Sequence, residues 1–116
     1  MPTNRRNPYP AIGKLDRWVT VRKRIDYPKD VSLESTFPEQ FNRWAMIRPV
    51  GGSIYQLGVQ TGTNITHRIT LRYLPKLDSS FEIVHADTVY RVRRTYKLED
   101  ADRFTVAEVE ELSHGE

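Results

Sequence analysis

FNRWAMIRPVGGSIYQLGVQTGTNITHRITLRY, residues 41–73, places two strand-like ends around a connector longer than any local turn requires. Over residues 43–49, Trp44 and Met46 alternate with Ala45 and Ile47. Further on, Ile65, Ile69, Leu71 and Tyr73 fall on one side at the two-residue period of a strand, with His67 among them. Both ends read as core strands. Between them Gly51, Gly52, Gly58 and Gly62 punctuate a run of Ser, Tyr, Gln and Thr that is too weakly apolar to build a core layer. A helical turn within residues 53–60 is opposed by the same glycines. Long connections in compact domains are usually functional or disordered, so residues 48–64 are the first place to look for function.

Working outward, residues 15–25 (LDRWVTVRKRI) read as a first strand with Leu15, Val19, Val21 and Ile25 on one side. Trp18, Thr20, Arg22 and Arg24 form its other, basic side, which faces water or a partner. Residues 26–40 carry Pro28 and Pro38 among polar residues and read as a surface loop. On the far side, residues 81–85 pair with residues 88–98 through a tight turn at Ala86 and Asp87. In the second arm Tyr90, Val92, Tyr96 and Leu98 share one face, interrupted by Arg94, and Val89, Arg91, Arg93 and Lys97 share the other. Residues 104–112 (FTVAEVEEL) close the pattern, with Phe104 and Val106 in regular alternation and then a register shift at Val109, as through a bulge or a short helical end. The fold class that follows is all-β: a small antiparallel β-barrel of about six strands with a long loop between strands 2 and 3 and flexible termini. The expected organisation is a Pro-rich arm over residues 1–12, one domain over residues 13–112 and a short tail over residues 113–116.

A chain of 116 residues suits one modest core. The absence of Cys removes disulfides, thiolate nucleophiles and Cys-based zinc sites together. No apolar run approaches a membrane span and the first residues lack the apolar middle of a signal peptide, which reads as a protein made and used inside a cell. The net charge of +3 is unevenly distributed. Residues 1–48 hold ten Lys or Arg against five Asp or Glu, residues 49–98 seven against three, and residues 99–116 one against seven. A basic body with an acidic end fits phosphates or head-to-tail joining with copies of itself, and equally an ordinary solvated surface.

Catalytic chemistry has no assembled candidate. His67, His85 and His114 lack the spacing of a metal site, and His67 reads as a core or rim histidine. Asp100/Asp102 and Glu110/Glu111 sit in an acidic stretch with no burial to tune them. No phosphate loop, dinucleotide motif or nucleophile elbow is present, and nothing calls for a cofactor. The cations are more informative. Arg22, Arg24, Arg91 and Arg93, with Lys23 and Arg94 beside them, come from separate strands that a sheet can bring together as a sequence-blind phosphate-binding surface. Trp18 and Tyr90 then stand as stacking platforms for a single-stranded nucleic acid. The plainer reading, with both rings in the core and the arginines merely solubilising, comes first, because aromatics in small barrels are more often packed than displayed.

The ordered set WAMIRPVGG, a Gln- and Gly-containing connector, THRITLRY and VYRVRRTYKLED resembles the head-tail joining (head completion or stopper) family of long-tailed bacteriophages, over residues 13–112. It departs from the family where an acidic residue often follows the loop glycine and this chain has Ser53, Ile54 and Tyr55. The resemblance implies a non-enzymatic structural protein, made in the bacterial host cytoplasm and carried in the virion. It implies a ring of about twelve copies between the portal or adaptor ring and the tail proteins, with packaged double-stranded DNA in the channel. It also implies that the connector faces that channel or a neighbouring subunit, which singles out Arg48, Gly51, Gly52, Tyr55, Gln56 and Gln60. A single-stranded nucleic-acid binding module and a tail-completion or tail-tube protein are the rival readings, because small barrels of one fold serve several functions.

Overall fold

Val19 and Val21 are buried on one side of strand β1 (Arg17–Lys23) while Trp18, Thr20 and Arg22 lie on the other. This alternation recurs around a wall of six strands: β2 (Gln40–Pro49), β3 (His67–Arg72), β4 (Phe81–His85), β5 (Thr88–Lys97) and β6 (Phe104–Glu111) complete it. The structure, a computed structural model, describes residues 9–24, 39–52 and 64–112. The strands close into a barrel in the order β1-β2-β3-β6-β5-β4, with β4 returning to β1 and every pairing antiparallel. Closure leaves no open edge in the wall.

The core is the inward-facing set of the alternation: Val19 and Val21 from β1, Ala45 from β2, Ile69 and Leu71 from β3, Phe81 and Ile83 from β4, Tyr90 and Val92 from β5, Ala107 and Val109 from β6. Leu74 and Leu77, in the connection after β3, turn back into this core and close one end of the barrel. That connection is tied down by polar contacts. The Leu74 N–H donates to Thr105 Oγ1 at 2.9 Å, and Thr95 Oγ1 donates to the Leu77 carbonyl at 3.2 Å. Residues 50–66 leave and rejoin the wall at the opposite end, between β2 and β3.

Three details depart from the sequence reading. β1 is shorter than expected, and β2 begins at Gln40, the last residue assigned above to a loop. The expected shift in β6 is instead in β5. β6 pairs with β3 without interruption, whereas its pairing with β5 jumps from Val92↔Val109 to Arg94↔Glu108, so Arg93 is the extra residue of a bulge. Past that bulge the faces exchange, which turns Tyr96 outward (42% exposed) and brings Arg94 opposite Glu108. Within β6, Ala107 and Val109 point into the core, so Phe104 and Val106 face outward. Both are nevertheless buried. The Tyr9 ring packs 5.8 Å from Phe104, and the Arg72 guanidinium lies 5.8 Å from the Phe104 ring. Ile25, residues 1–8 and residues 113–116 lie outside the described residues.

Candidate functional site

The end of the barrel that carries the connector is built from the last rungs of β2, β3, β5 and β6. Pro49 pairs with His67 in the final β2–β3 rung. One step beyond the ladder the Val50 N–H donates to the Thr66 carbonyl at 3.0 Å, so the two feet of the connector are bonded to each other. Thr66 also fastens them to β6. Its N–H donates to the Val109 carbonyl at 2.8 Å, its hydroxyl accepts the Glu111 N–H at 2.8 Å, and that oxygen lies 2.9 Å from His67 Nδ1. Replacing Thr66 by Val leaves the Glu111 N–H without its acceptor and should cost about 1–2 kcal/mol, read as a lower melting temperature and faster amide exchange at Glu111. Thr66→Ser, which keeps the oxygen, should cost less.

Around the same rim, Arg17, Ile47, Pro49, His67, His85 and Tyr90 line an open cavity of about 230 Å3. The His67 ring meets Tyr90 nearly edge-on at 5.2 Å, and its Nδ1 stands 4.0 Å from Glu111 Oε1. Burial, with a further push from the Glu111 charge, raises the Tyr90 hydroxyl above its ordinary pKa. Tyr90 stays a neutral packing ring near neutral pH, and as a buried residue it offers no free face for stacking. No group of three His, Cys, Asp or Glu side chains suited to a metal occurs among the described residues.

Of the connector residues singled out above, Arg48, Gly51 and Gly52 lie at its first foot and are exposed. Arg48 stands opposite Arg68 in the β2–β3 register. Neither glycine is demanded by the local fold: a Cβ at Gly51 or Gly52 meets nothing within 4 Å, and neither residue takes a left-handed backbone. Tyr55, Gln56 and Gln60 lie outside the described residues.

Of the arginines expected to form a basic surface, Arg22 and Arg91 share one row of the outer wall, with acids between them. The register sets Arg22, Glu82, Arg91 and Glu110 side by side across β1, β4, β5 and β6. Arg22 Nε donates to Glu82 Oε1 at 2.8 Å, and Arg93 pairs with Glu110. Arg24 donates from Nη2 to the Ser79 carbonyl at 3.2 Å. A second cluster was not foreseen. Glu108, only 2% exposed, accepts from Arg68 Nε at 3.0 Å on one side and from Arg94 on the other, which ties β3, β6 and β5 together. Burial alone would raise the Glu108 carboxyl, but the hydrogen bonds and charges of Arg94 and Arg68 outweigh it and hold its pKa below the ordinary value.

Trp18 and Trp44 were read for their faces rather than for each other. They stand directly opposite in the β1–β2 register with ring centres 4.9 Å apart, and both are about half exposed, at 52% and 53%. With Leu15, Asn42, Arg43 and Arg72 they line an outer concavity of about 450 Å3. The available signal was Ala45: once this small residue is placed inward, Trp44 must point out.

Residues 10–112 match the model of a family described as Phage head completion protein, a span that contains all six strands and the whole connector. No curated protein matches the chain.

Proposed function

The chain belongs to the phage head completion protein family, and from that premise we propose that it binds as a ring below the portal or its adaptor once DNA is packaged, closing the head and offering the tail its docking surface. The family assigns it a structural role in the phage head; ring, position and tail docking are the reading proposed here. The observation that carries it is the clamped base of the connector. Two strands of a closed wall hold residues 50 and 66 together, and Thr66 bonds both feet to β6. A segment rooted so firmly can project from the barrel and bear load without loosening the wall. In this reading the barrel is the ring wall, and residues 48–64 reach the channel or the next subunit. Arg48, Gly51, Gly52, Tyr55, Gln56 and Gln60 are the contact residues, and packaged double-stranded DNA is held without regard to sequence. A ring multiplies one weak contact by the number of its copies.

Deleting residues 52–62 tests this directly, because the deletion spares the Val50–Thr66 bond that closes the base. The variant should fold with a melting temperature close to that of the parent protein, and particles assembled with it should lose their DNA or fail to join tails. Normal infectivity of those particles would reject a role for the connector. Loss of the whole protein should give DNA-filled or leaking heads beside free tails, which the purified protein then joins.

A further inference from the structure

A hydroxyl has one proton to give, and the Thr66 hydroxyl, which fastens the connector's second foot to β6, stands between two acceptors. His67 Nδ1 lies 2.9 Å from it and the Val109 carbonyl 3.4 Å. That carbonyl already accepts the Thr66 N–H at 2.8 Å, and 3.4 Å is beyond the ordinary range for a hydroxyl donor. The imidazole is the better acceptor. Accepting at Nδ1 requires that nitrogen to be bare, so a neutral His67 carries its proton on Nε2. The chain of bonds then runs one way: the Glu111 N–H donates to Thr66 Oγ1 at 2.8 Å, and the Thr66 hydroxyl donates to His67 Nδ1.

A second proton cannot enter the ring without turning that chain round. The imidazolium has no lone pair at Nδ1, and both of its nitrogens donate. Nδ1 must then give its hydrogen to Thr66 Oγ1, and the hydroxyl proton must turn to the Val109 carbonyl. The oxygen can bear this, since its two lone pairs take the His67 and Glu111 N–H groups together. The new charge also meets a partner: Glu111 Oε1 stands 4.0 Å from Nδ1, the one carboxylate oxygen that near among the described residues. The other strands around this mouth present the Arg17 guanidinium from β1, His85 from β4 and Tyr90 from β5, while β2 presents Ile47 and Pro49, which carry no charge. Arg17 lies 3.8 Å from its neighbour Asp16, and Arg68, next to His67 on β3, is taken by Glu108.

We propose that His67 is a proton-operated switch at the root of the connector. Neutral, it takes the Thr66 hydroxyl proton; charged, it gives a proton to Thr66 and draws the Glu111 carboxylate towards the ring. Histidine side chains change charge between about pH 5 and 8, so the bonding of residue 66 to β6 follows pH in that window. Val50 and Thr66 are bonded foot to foot, which places the rearrangement where the connector leaves the wall. The switch needs only the clasp, and it stands whatever the connector touches.

Nitrogen NMR of the full-length, uniformly labelled protein reads the switch directly. At about pH 8 the His67 ring should show Nδ1 bare and Nε2 protonated, and as the pH falls to about 5 the Glu111 amide should shift with the same midpoint as that ring. In His67→Gln and in Thr66→Val the Glu111 amide should lose this titration while His85 keeps its own. Thr66→Ser, which retains the oxygen, should preserve it. The tautomer is measured in the parent protein and needs no variant to fold. A proton on Nδ1 at about pH 8 would mean that His67 already donates to Thr66 and that charging the ring reverses nothing, which would overturn the proposal. So would a Glu111 amide in the parent protein that does not follow His67.

Discussion

Replacing Arg68 and Arg94 together by Met is expected to cost the barrel about 3 kcal/mol near neutral pH, because it strands a buried carboxylate. Glu108 sits on the outer face of β6 at 2% exposure, and these two arginines are its hydrogen-bonding partners. The arginines themselves are partly in water, at 40% and 69% exposure, so the opposite change is milder. Glu108→Gln, which leaves two cations that can hydrate, should cost about 1 kcal/mol. The pH dependence separates this from a packing effect. In the parent protein the folded Glu108 carboxyl titrates below its unfolded value, so its stabilising contribution is present above the unfolded value of about 4.3 and disappears as pH falls through the folded one. Without the arginines burial acts unopposed, the folded pKa rises above the unfolded one, and the deficit is greatest at neutral pH. Urea melts at pH 7 and pH 4 should therefore show a wide gap between variant and parent at the higher pH and a narrow one at the lower. A gap that does not change with pH would mean that Glu108 is not the group left stranded.

Phe81→Ala is expected to be more damaging still, at about 3–5 kcal/mol, since it removes a large core side chain and leaves a cavity that a closed wall is poorly able to collapse. Phe81 is 1% exposed and stands opposite Lys23 at the seam where β4 closes on β1. Against a total of about 5–15 kcal/mol for a domain of this kind, much of the population should unfold on modest warming. The denaturation midpoint should fall sharply with the slope of the transition unchanged. Phe81→Leu should recover more than half of the loss. An alanine variant as stable as the parent would mean that the β1–β4 seam does not carry the closure described here.

Strand periods were readable wherever one face alone is apolar. Val19 and Val21 against Thr20 and Arg22 gave β1, and the turn at Ala86 and Asp87 gave the β4–β5 hairpin. They were not readable in β6, where Phe104 and Val106 are covered from outside while Ala107 and Val109 fill the core. A period of two cannot reveal its phase when both phases are apolar. The extra residue in β5 hid in the same way, because Arg91, Arg93 and Arg94 offer no contrast from which to count. The arginines looked like one basic surface because their acidic partners come from other strands, and only the β3-β6-β5 order brings Glu108 and Glu110 among them. The connector was conspicuous in the sequence for its length and glycines; the clasp at Thr66 was not, since a threonine hydroxyl gives no sign of which distant amide it will accept.

The position of β6 has a consequence for how the protein is made. Synthesis delivers the strands in chain order, yet β6 follows all the others and inserts between β3 and β5. Until residues 104–111 have emerged, those two strands each present a row of unsatisfied backbone groups, and Ile69 and Val92 lack the wall they pack against. A nascent chain at that stage is an adhesive intermediate rather than a partly working part. A message broken before Phe104 would yield sticky debris instead of a weakened subunit, so the infected cell's supply of usable subunits depends on how many chains are translated through the sixth strand.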